Sequence, residues 1–293
     1  MSLTLNRRHF IIGAGLLLPG IGLAPKMAFA AGNDIEKQLA ALEKRTGGRL
    51  GVYVLDTRTK VSFAHRPDER FAMCSTFKAL AAAFALARVD KGEEKLDRRV
   101  AVSKADIIHH SPIAEKHIAD GMTIAELCHA AVTISDNAAA NLLLASFGGP
   151  AGLTAWLRSI GDDTTRLDRT EPALNEAKVG DPRDTTTPIA MTETLGKLLL
   201  EDALSAPSRN QLAAWMVAST TGDARLRAGL PKDWTIGDKT GTSGKGALGD
   251  IGFMRPREDH TILASVYIAE GKKPTKELEP VFAEVGKLIA GMV

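Results

Sequence analysis

Residues 235–269, TIGDKTGTSGKGALGDIGFMRPREDHTILASVYIA, contain three predicted β-strands joined by short polar turns. The strands are TIGDKTGT (235–242), GDIGFMRP (249–256) and TILASVYIA (261–269). Runs of apolar and β-branched residues bounded by Gly, Pro or Asp are typical of strands. Two earlier runs, at 49–57 and 61–67, predict a β-hairpin. We therefore expect the three late strands and the early hairpin to form one antiparallel sheet.

The chain between the hairpin and the late strands has the patterns of helices. Thr123 begins one helical run, and Glu126 follows three residues later, which together make a capping box. The predicted helices cover 33–46, 75–92, 123–149, 188–201, 208–220 and 276–291.

This order of elements predicts an α+β fold with two lobes in a single domain at 31–293. The antiparallel five-stranded sheet and its flanking helices would form an α/β lobe of about 31–70 and 215–293. The intervening residues, about 71–214, would form an all-helical lobe. The cleft between two such lobes is a natural place for an active site.

The composition excludes several classes of protein. The chain has 293 residues, of which 44% are hydrophobic and 25% charged, as in ordinary globular proteins. Its formal net charge is +2, and it has no long basic run of the kind that binds nucleic acid. After the first 30 residues it has 34 basic and 35 acidic residues, so the slight basicity lies in the N-terminal segment.

The first 30 residues predict an export signal. Arg7 and Arg8 precede an apolar run that is too short to span a bilayer comfortably, and the small-residue pattern Ala28-Phe29-Ala30 follows. This arrangement is typical of a twin-arginine signal that is cleaved after Ala30. The alternative is a retained membrane anchor, which usually lacks such a cleavage site. We expect a periplasmic protein with no membrane segment once the signal is removed.

Ser75 and Lys78, in the stretch MCSTFKAL (73–80), are the first candidates for catalysis. The start of a helix favours developing negative charge, because its backbone N–H groups are free and its dipole is positive there. Lys78 would share a helix face with Ser75, and burial would make its neutral amine more accessible. The alternative is a capping serine with a surface lysine, and the tetrapeptide alone does not exclude it.

Ser135-Asp136-Asn137 is a second signal, because this triplet is unfavourable inside a helix and predicts a break there. A hydroxyl and an amide facing the cleft would suit proton relay and substrate binding, whereas the alternative is a plain helix boundary. Lys239-Thr240-Gly241, in a predicted strand, is the third. A strand glycine often marks the close approach of a ligand or another backbone segment, and the alternative is a twisted strand end with a solvated lysine.

The ordered set Ser-x-x-Lys, Ser-Asp-Asn and Lys-Thr-Gly resembles the motifs of class A serine β-lactamases. The resemblance extends over essentially the whole mature chain. RLDRTEPALN (166–175) is similar to the omega loop of that family. Glu171 matches the carboxylate that activates the deacylating water, and Asn175 matches its amide partner. Arg169 and Asp184 match the ion pair that closes the loop.

The resemblance implies hydrolysis of the β-lactam amide of penicillins and cephalosporins through an acyl-serine intermediate, which confers antibiotic resistance. It implies a monomer that needs no metal or other cofactor. The implied catalytic residues are Ser75, Lys78, Ser135 and Glu171. The implied substrate-binding residues are Asn137, Asn175, Lys239, Thr240, Gly241, Thr242, Arg225 and His110.

Two alternatives share the acyl-serine chemistry. A penicillin-binding DD-peptidase hydrolyses the acyl-enzyme very slowly, and a non-catalytic sensor domain stays acylated. Both would need Glu171 to be out of place. The position of His110 is often an aromatic gate in the family, and together with Arg225 it favours a wide substrate range. Carbapenem hydrolysis stays open.

Cysteine and histidine give two further expectations. Cys74 and Cys128 each lack the partner that the family would supply, because Ser243 and Ala82 stand at those positions, so we predict two free thiols. The His109, His110, Glu115 and His117 cluster lacks a compact zinc-ligand spacing, so we do not expect a metal site there.

Overall fold

The computed structural model describes residues 24–293, with side chains described from residue 34 onwards. The predicted export signal at 1–30 falls for the most part outside the described residues. No helix in this described part combines the length and the apolar character that a membrane span requires.

The predicted helices and strands occur in the predicted order, together with four two-residue strands that were not predicted. The helices are α1 (Ala24–Thr46), α2 (Phe77–Asp90), α3 (Ile124–Thr133), α4 (Asn137–Ala145), α5 (Gly149–Ser159), α6 (Pro188–Leu199), α7 (Ala206–Val217) and α8 (Thr275–Ala290). The strands are β1 (Arg49–Asp56), β2 (Ser62–His65), β3 (Phe71–Ala72), β4 (Arg99–Val100), β5 (Met122–Thr123), β6 (Thr185–Thr186), β7 (Thr235–Thr242), β8 (Leu248–Arg257) and β9 (His260–Ala269).

A five-stranded antiparallel sheet lies at the centre, in the order β2-β1-β9-β8-β7. The early hairpin and the three late strands therefore form one sheet, as the sequence predicts. β1 pairs with β9 with Val52 opposite Val266, and β7 pairs with β8 with Thr240 opposite Asp250. The Lys-Thr-Gly triplet belongs to β7, which is an edge strand of the sheet. The triplet therefore lies next to the segments that pack against this edge.

Helices cover both faces of the sheet. On one face, α1 and α8 pack through residues such as Leu39 and Phe282 against Val52 and Val266. The other face, which includes Tyr267, belongs to a core shared with α2–α7. All ten residues of β9 are buried, because this strand is covered on both sides.

Two local features differ from the predicted helices. The run at 123–149 is split into α3 and α4, and the break falls at the Ser-Asp-Asn triplet. Helix α5 was not predicted, because the glycine pair at 148–149 reads as a terminator. In the structure Gly148 adopts φ +89° as the N-cap, and Pro150 lies in the first turn, where its missing N–H is not needed. The lobe boundaries near residues 70 and 214 stay predictions.

Candidate active site

Ser75 lies in the 3₁₀ turn Cys74–Thr76, directly before α2, and Lys78 is the second residue of α2. Cys74 adopts φ +45°, an unfavourable conformation for a residue with a side chain. The turn is held by hydrogen bonds on both sides of Ser75. Met73 N donates to Asp184 O at 2.9 Å, and the Thr76 hydroxyl donates to Met73 O at 2.8 Å. Ser75 is thereby held at the start of the helix, as predicted.

Gly241 allows β7 to pass close to this turn. A Cβ atom built on Gly241 would lie 2.5 Å from Met73 O and 3.1 Å from Ser75 N. These distances are too short for any other residue without a shift of the backbone. The glycine of the Lys-Thr-Gly triplet is thus explained by the close approach of another backbone segment, and it lets β7 lie next to the turn that carries Ser75.

Lys78 is fully buried among oxygen atoms. Its Nζ donates to Asn137 Oδ1 at 2.6 Å, to Ser135 O at 2.8 Å and to Ser135 Oγ at 3.2 Å. It also lies 3.2 Å from Glu171 Oε1. Burial lowers the pKa of Lys78, while the Glu171 carboxylate acts in the opposite direction. The surface lysine considered above is therefore excluded.

Ser135 and Asn137 are positioned by the break between α3 and α4. Asp136 caps α4 by accepting a hydrogen bond from Ala139 N at 2.9 Å, so Asn137 begins the helix. Ser135 adopts φ +63°, which turns the chain at this point. Both Ser135 and Asn137 are 8% exposed and lie beside Lys78.

Ser135 Oγ lies between two lysine side chains. Lys239 Nζ donates to Ser135 Oγ at 3.1 Å and to Thr240 O at 2.8 Å. Lys239 is fully buried, and burial followed by the charge of Lys78 lowers its pKa to about 7. A hydroxyl between two amines of lowered pKa is well placed to receive a proton and pass it on.

Glu171 lies opposite Ser75. The Ser75 hydroxyl donates to Glu171 Oε1 at 2.9 Å, and Asn175 Nδ2 donates to Glu171 Oε2 at 2.5 Å. Glu171 is 3% exposed, and the Glu171–Pro172 peptide bond is cis. Ser75 and Lys78 therefore both lie within hydrogen-bonding distance of one carboxylate oxygen, an arrangement that can activate the serine.

Asn141 is a positioning residue that sequence reasoning missed. Its side chain binds the backbone of Glu171 twice, accepting from Glu171 N and donating to Glu171 O, both at 2.9 Å. The only signal in the sequence is a polar residue in the apolar run of α4, one turn after Asn137 and so on the same helix face.

The predicted ion pair closes the loop at 166–184. Arg169 Nε donates to Asp184 Oδ2 at 2.6 Å, and Arg169 also contacts Glu176. Asp184 Oδ1 accepts the backbone N–H groups of Asp168 at 2.8 Å and Arg169 at 2.9 Å. Since Asp184 O also binds Met73 N, this residue fastens the loop to the segment that carries Ser75.

Arg225 is hydrogen-bonded to the end of β7 and to the neighbouring strand β8. It is 3% exposed and donates to Gly241 O at 2.8 Å, to Gly249 O at 2.7 Å and to Thr242 Oγ1 at 2.6 Å. Thr221, which sequence reasoning did not identify, lies 2.7 Å from Thr240 through their hydroxyl oxygens. Lys239 and Arg225, with the hydroxyls of Thr240 and Thr242, make a site suited to a carboxylate.

His110 is exposed and lies next to Asn137, but its ring already has a partner. His110 Nε2 is 3.0 Å from Ile134 O, and His110 O accepts a hydrogen bond from Asn137 N at 2.9 Å. The side chain of Asn137 donates to His109 O at 2.8 Å while its oxygen binds Lys78.

The two remaining sets of candidates are the histidine cluster and the two cysteines. Within the described residues, no group of three or more His, Cys, Asp or Glu side chains has a metal-binding arrangement, and His117 lies beside Asp120 instead. Cys74 and Cys128 are both buried and unpaired, so the prediction of two free thiols is confirmed.

Comparison with known proteins agrees with this geometry. Residues 34–293 match the family model described as the Beta-lactamase enzyme family. Beta-lactamase CTX-M-97 from Escherichia coli is 46% identical over 260 residues, which are 89% of each chain. Beta-lactamase OXY-2 from Klebsiella oxytoca is 46% identical over 268 residues, 91% of this chain and 92% of the relative.

A solved structure described as an ancestral class A β-lactamase superposes with a TM-score of 0.87 at 60% identity, covering 88% of this chain and all of that one. The identity is high enough, and extends over enough of the chain, to show the family as well as the fold. The protein therefore belongs to the β-lactamase enzyme family, and within it to class A.

Proposed function

We propose that this protein hydrolyses the amide bond of β-lactam antibiotics, penicillins and cephalosporins among them, and thereby confers resistance to them. The observation that carries the proposal is the hydrogen bond of 2.9 Å between the Ser75 hydroxyl and Glu171 Oε1, with Lys78 Nζ 3.2 Å from the same oxygen. A nucleophile beside both an amine and a carboxylate has a base for forming an acyl-enzyme and a base for hydrolysing it.

In the acylation step Ser75 Oγ attacks the β-lactam carbonyl, and its proton passes to Lys78 or, through a water, to Glu171. The negative charge on the carbonyl oxygen would be stabilised by the backbone N–H groups of Ser75 and Thr242. Such an oxyanion hole is typically worth about 3–4 kcal/mol per donor. As the C–N bond breaks, Ser135 passes a proton to the ring nitrogen, which becomes a secondary amine.

The substrate is held at both ends in this proposal. Lys239, Thr240, Thr242 and Arg225 would bind its carboxylate, because they supply two cations and two hydroxyls at the end of β7. Asn137 would bind the side-chain amide of the substrate, and His110 lies beside it at the entrance. Gly241 permits the close approach of β7 that brings these groups to Ser75.

In the deacylation step Glu171 and Asn175 would position a water on the acyl carbonyl, and Glu171 would take its proton. The water oxygen then bonds to the carbonyl carbon, the ester bond to Ser75 Oγ breaks, and Glu171 returns the proton to Ser75 Oγ, which regenerates the hydroxyl. The Arg169–Asp184 ion pair would hold the loop so that Glu171 stays opposite Ser75. No step needs a metal or another cofactor.

We further propose that the protein acts in the periplasm as a monomer after export by the twin-arginine route. The pattern at residues 1–30 supports this route. The partner of the protein in the reaction is a small-molecule β-lactam.

The test is to mix purified mature protein with excess benzylpenicillin and to follow ring opening and intact mass together. Sustained turnover with little lasting adduct is the expected result. One equivalent of stable adduct without turnover would point to a DD-peptidase or a sensor domain and would contradict the role of Glu171. The absence of both adduct and turnover would overturn the proposal.

A further inference from the structure

Two segments that border the active site are joined by several hydrogen bonds. We name residues 109–114 the histidine loop and residues 134–138 the serine segment. Besides the bonds of Asn137 to His109 O and His110 O, Asp136 Oδ2 accepts Ile113 N at 2.9 Å and Ala114 N at 3.0 Å. These four bonds are made by Asp136 and Asn137, which follow Ser135, so they hold the chain on the α4 side of this residue.

On the α3 side of Ser135, the histidine loop contributes one contact, the ring of His110. Helix α3 ends at Thr133, and the carbonyl groups at the end of a helix have no partner within the helix. Ile134 O is such a group, and His110 Nε2 lies 3.0 Å from it. Because a carbonyl oxygen only accepts, this contact requires a proton on Nε2.

The backbone conformation of His110 lets both its ring and its carbonyl group bind the serine segment. It adopts φ +61°, which is uncommon for a residue with a side chain, and Ser135 adopts φ +63° on the opposite segment. Conformations of this kind persist where surrounding contacts hold them. In His110 the carbonyl group binds Asn137 N and the ring binds Ile134 O, so one residue holds the chain on both sides of Ser135.

We propose that His110 is a positioning residue for Ser135, and that its ring N–H bond to Ile134 O holds the Ser135 hydroxyl between Lys78 and Lys239 during acylation. The inference rests on the proposed function, in which Ser135 delivers the proton to the departing nitrogen. It differs from the role of an aromatic gate, because the property that matters is the donor on Nε2 and not the flat face of the ring. In the neutral ring this contact requires the tautomer that carries its proton on Nε2.

Two substitutions separate the donor from the ring. His110→Phe keeps an aromatic ring and removes the donor, whereas His110→Gln removes the ring and keeps a donor of similar reach. Both keep a side chain with a Cβ at the left-handed position. The rate of acylation is measured in single turnovers with enzyme in excess over a chromogenic cephalosporin. The rate of deacylation is measured from the decay of the acyl-enzyme in intact-mass spectra.

We expect His110→Phe to slow acylation about two- to tenfold, the effect of one hydrogen bond, with no change in deacylation. His110→Gln should restore most of the acylation rate. In a Ser135→Ala background His110→Phe should have no further effect, because residues that act as a unit are not additive. Thermal unfolding of each variant checks that the fold is retained.

The outcomes separate this inference from the proposed function. If His110→Phe acylates at the wild-type rate, or if its effect persists unchanged in the Ser135→Ala background, the positioning role is wrong. A slow His110→Gln with a normal His110→Phe would favour the aromatic gate and overturn it too. If both variants acylate slowly, the Ser135→Ala background decides between the two readings. Loss of the His110→Phe effect there supports the positioning role, and an unchanged effect contradicts it. Normal acylation by Ser135→Ala itself would instead contradict the role of Ser135 in the proposed function.

Discussion

Lys78 Nζ and Glu171 Oε1 lie 3.2 Å apart, and neither side chain is accessible to solvent. Ser75 Oγ donates to the same carboxylate oxygen at 2.9 Å, so the nucleophile and Lys78 share this oxygen. A buried ion pair adds little net stability, but removing one partner leaves an uncompensated charge. Substitutions at these positions should therefore keep the shape of the side chain and change only its chemistry.

Glu171→Gln should trap the acyl-enzyme. The amide keeps the size of the side chain but removes the base, and a general base contributes roughly 100- to 10,000-fold. We expect benzylpenicillin to acylate Ser75 and deacylation to slow by about this factor, seen as a stable adduct by intact mass. Glu284→Gln, on the surface of α8, is the control and should turn over normally. Sustained turnover by Glu171→Gln would contradict the proposed deacylation step.

Asp184→Asn should loosen the loop that carries Glu171. Asp184 is fully buried and binds Arg169 and two backbone N–H groups, so the substitution leaves Arg169 without its buried partner. Breaking such a pair costs about 3 kcal/mol or more. Urea unfolding measures this loss, and deacylation should slow as well. The matched control is Asp181→Asn in the same loop, because the side chain of its partner Arg183 is 46% exposed and the loss of stability should be much smaller.

Gly241→Ala should separate β7 from Ser75. The new Cβ would lie 2.5 Å from Met73 O, which is backbone and has little freedom to move. We expect slower acylation and a lower unfolding temperature, measured by single turnovers and by thermal unfolding. Gly244→Ala, three residues along the chain, is the control, because a Cβ there would meet nothing within 4 Å. Equal behaviour of the two variants would rule out the close approach as the reason for the glycine.

The activity should depend on the protonation of Lys239. Burial and the charge of Lys78 lower the pKa of Lys239 to about 7, and only its cationic form attracts the substrate carboxylate. Since kcat/KM reports pKa values of the free enzyme, it should fall as the pH rises through about 7. Lys239→Arg keeps its charge at every accessible pH and should lose this decline. An identical alkaline decline in both proteins would assign it to another group.

Both thiols should be unreactive in the folded protein. Cys74 and Cys128 are fully buried, and burial raises the pKa of Cys74 to about 12 and raises that of Cys128 as well. The thiolate is the reactive form, so neither should be alkylated by iodoacetamide without denaturant. In denaturant two groups should be added by mass, and one in Cys74→Ala. Labelling of the folded protein, or a denatured protein without free thiols, would contradict this.

Much of the fold could be predicted because its signals are local. Strand β7 has the predicted bounds, 235–242, since its own glycines and polar residues mark it in the sequence. The break at Ser135–Asn137 could likewise be predicted, because these side chains compete with the helix backbone. Helix α5 was missed where the same local signals are ambiguous. A glycine followed by proline fits both the end of one helix and the start of the next.

The sequence by itself determined the order of the main elements, the residue types that carry the chemistry and the family that they indicate. Only the tertiary structure decided which of these side chains meet. Ser75 and Glu171 are 96 residues apart in the chain, and the support of Glu171 by Asn141 depends on contacts between distant segments. The lowered pKa of Lys239 has the same origin, because burial is a property of the packed molecule and not of a local stretch of residues.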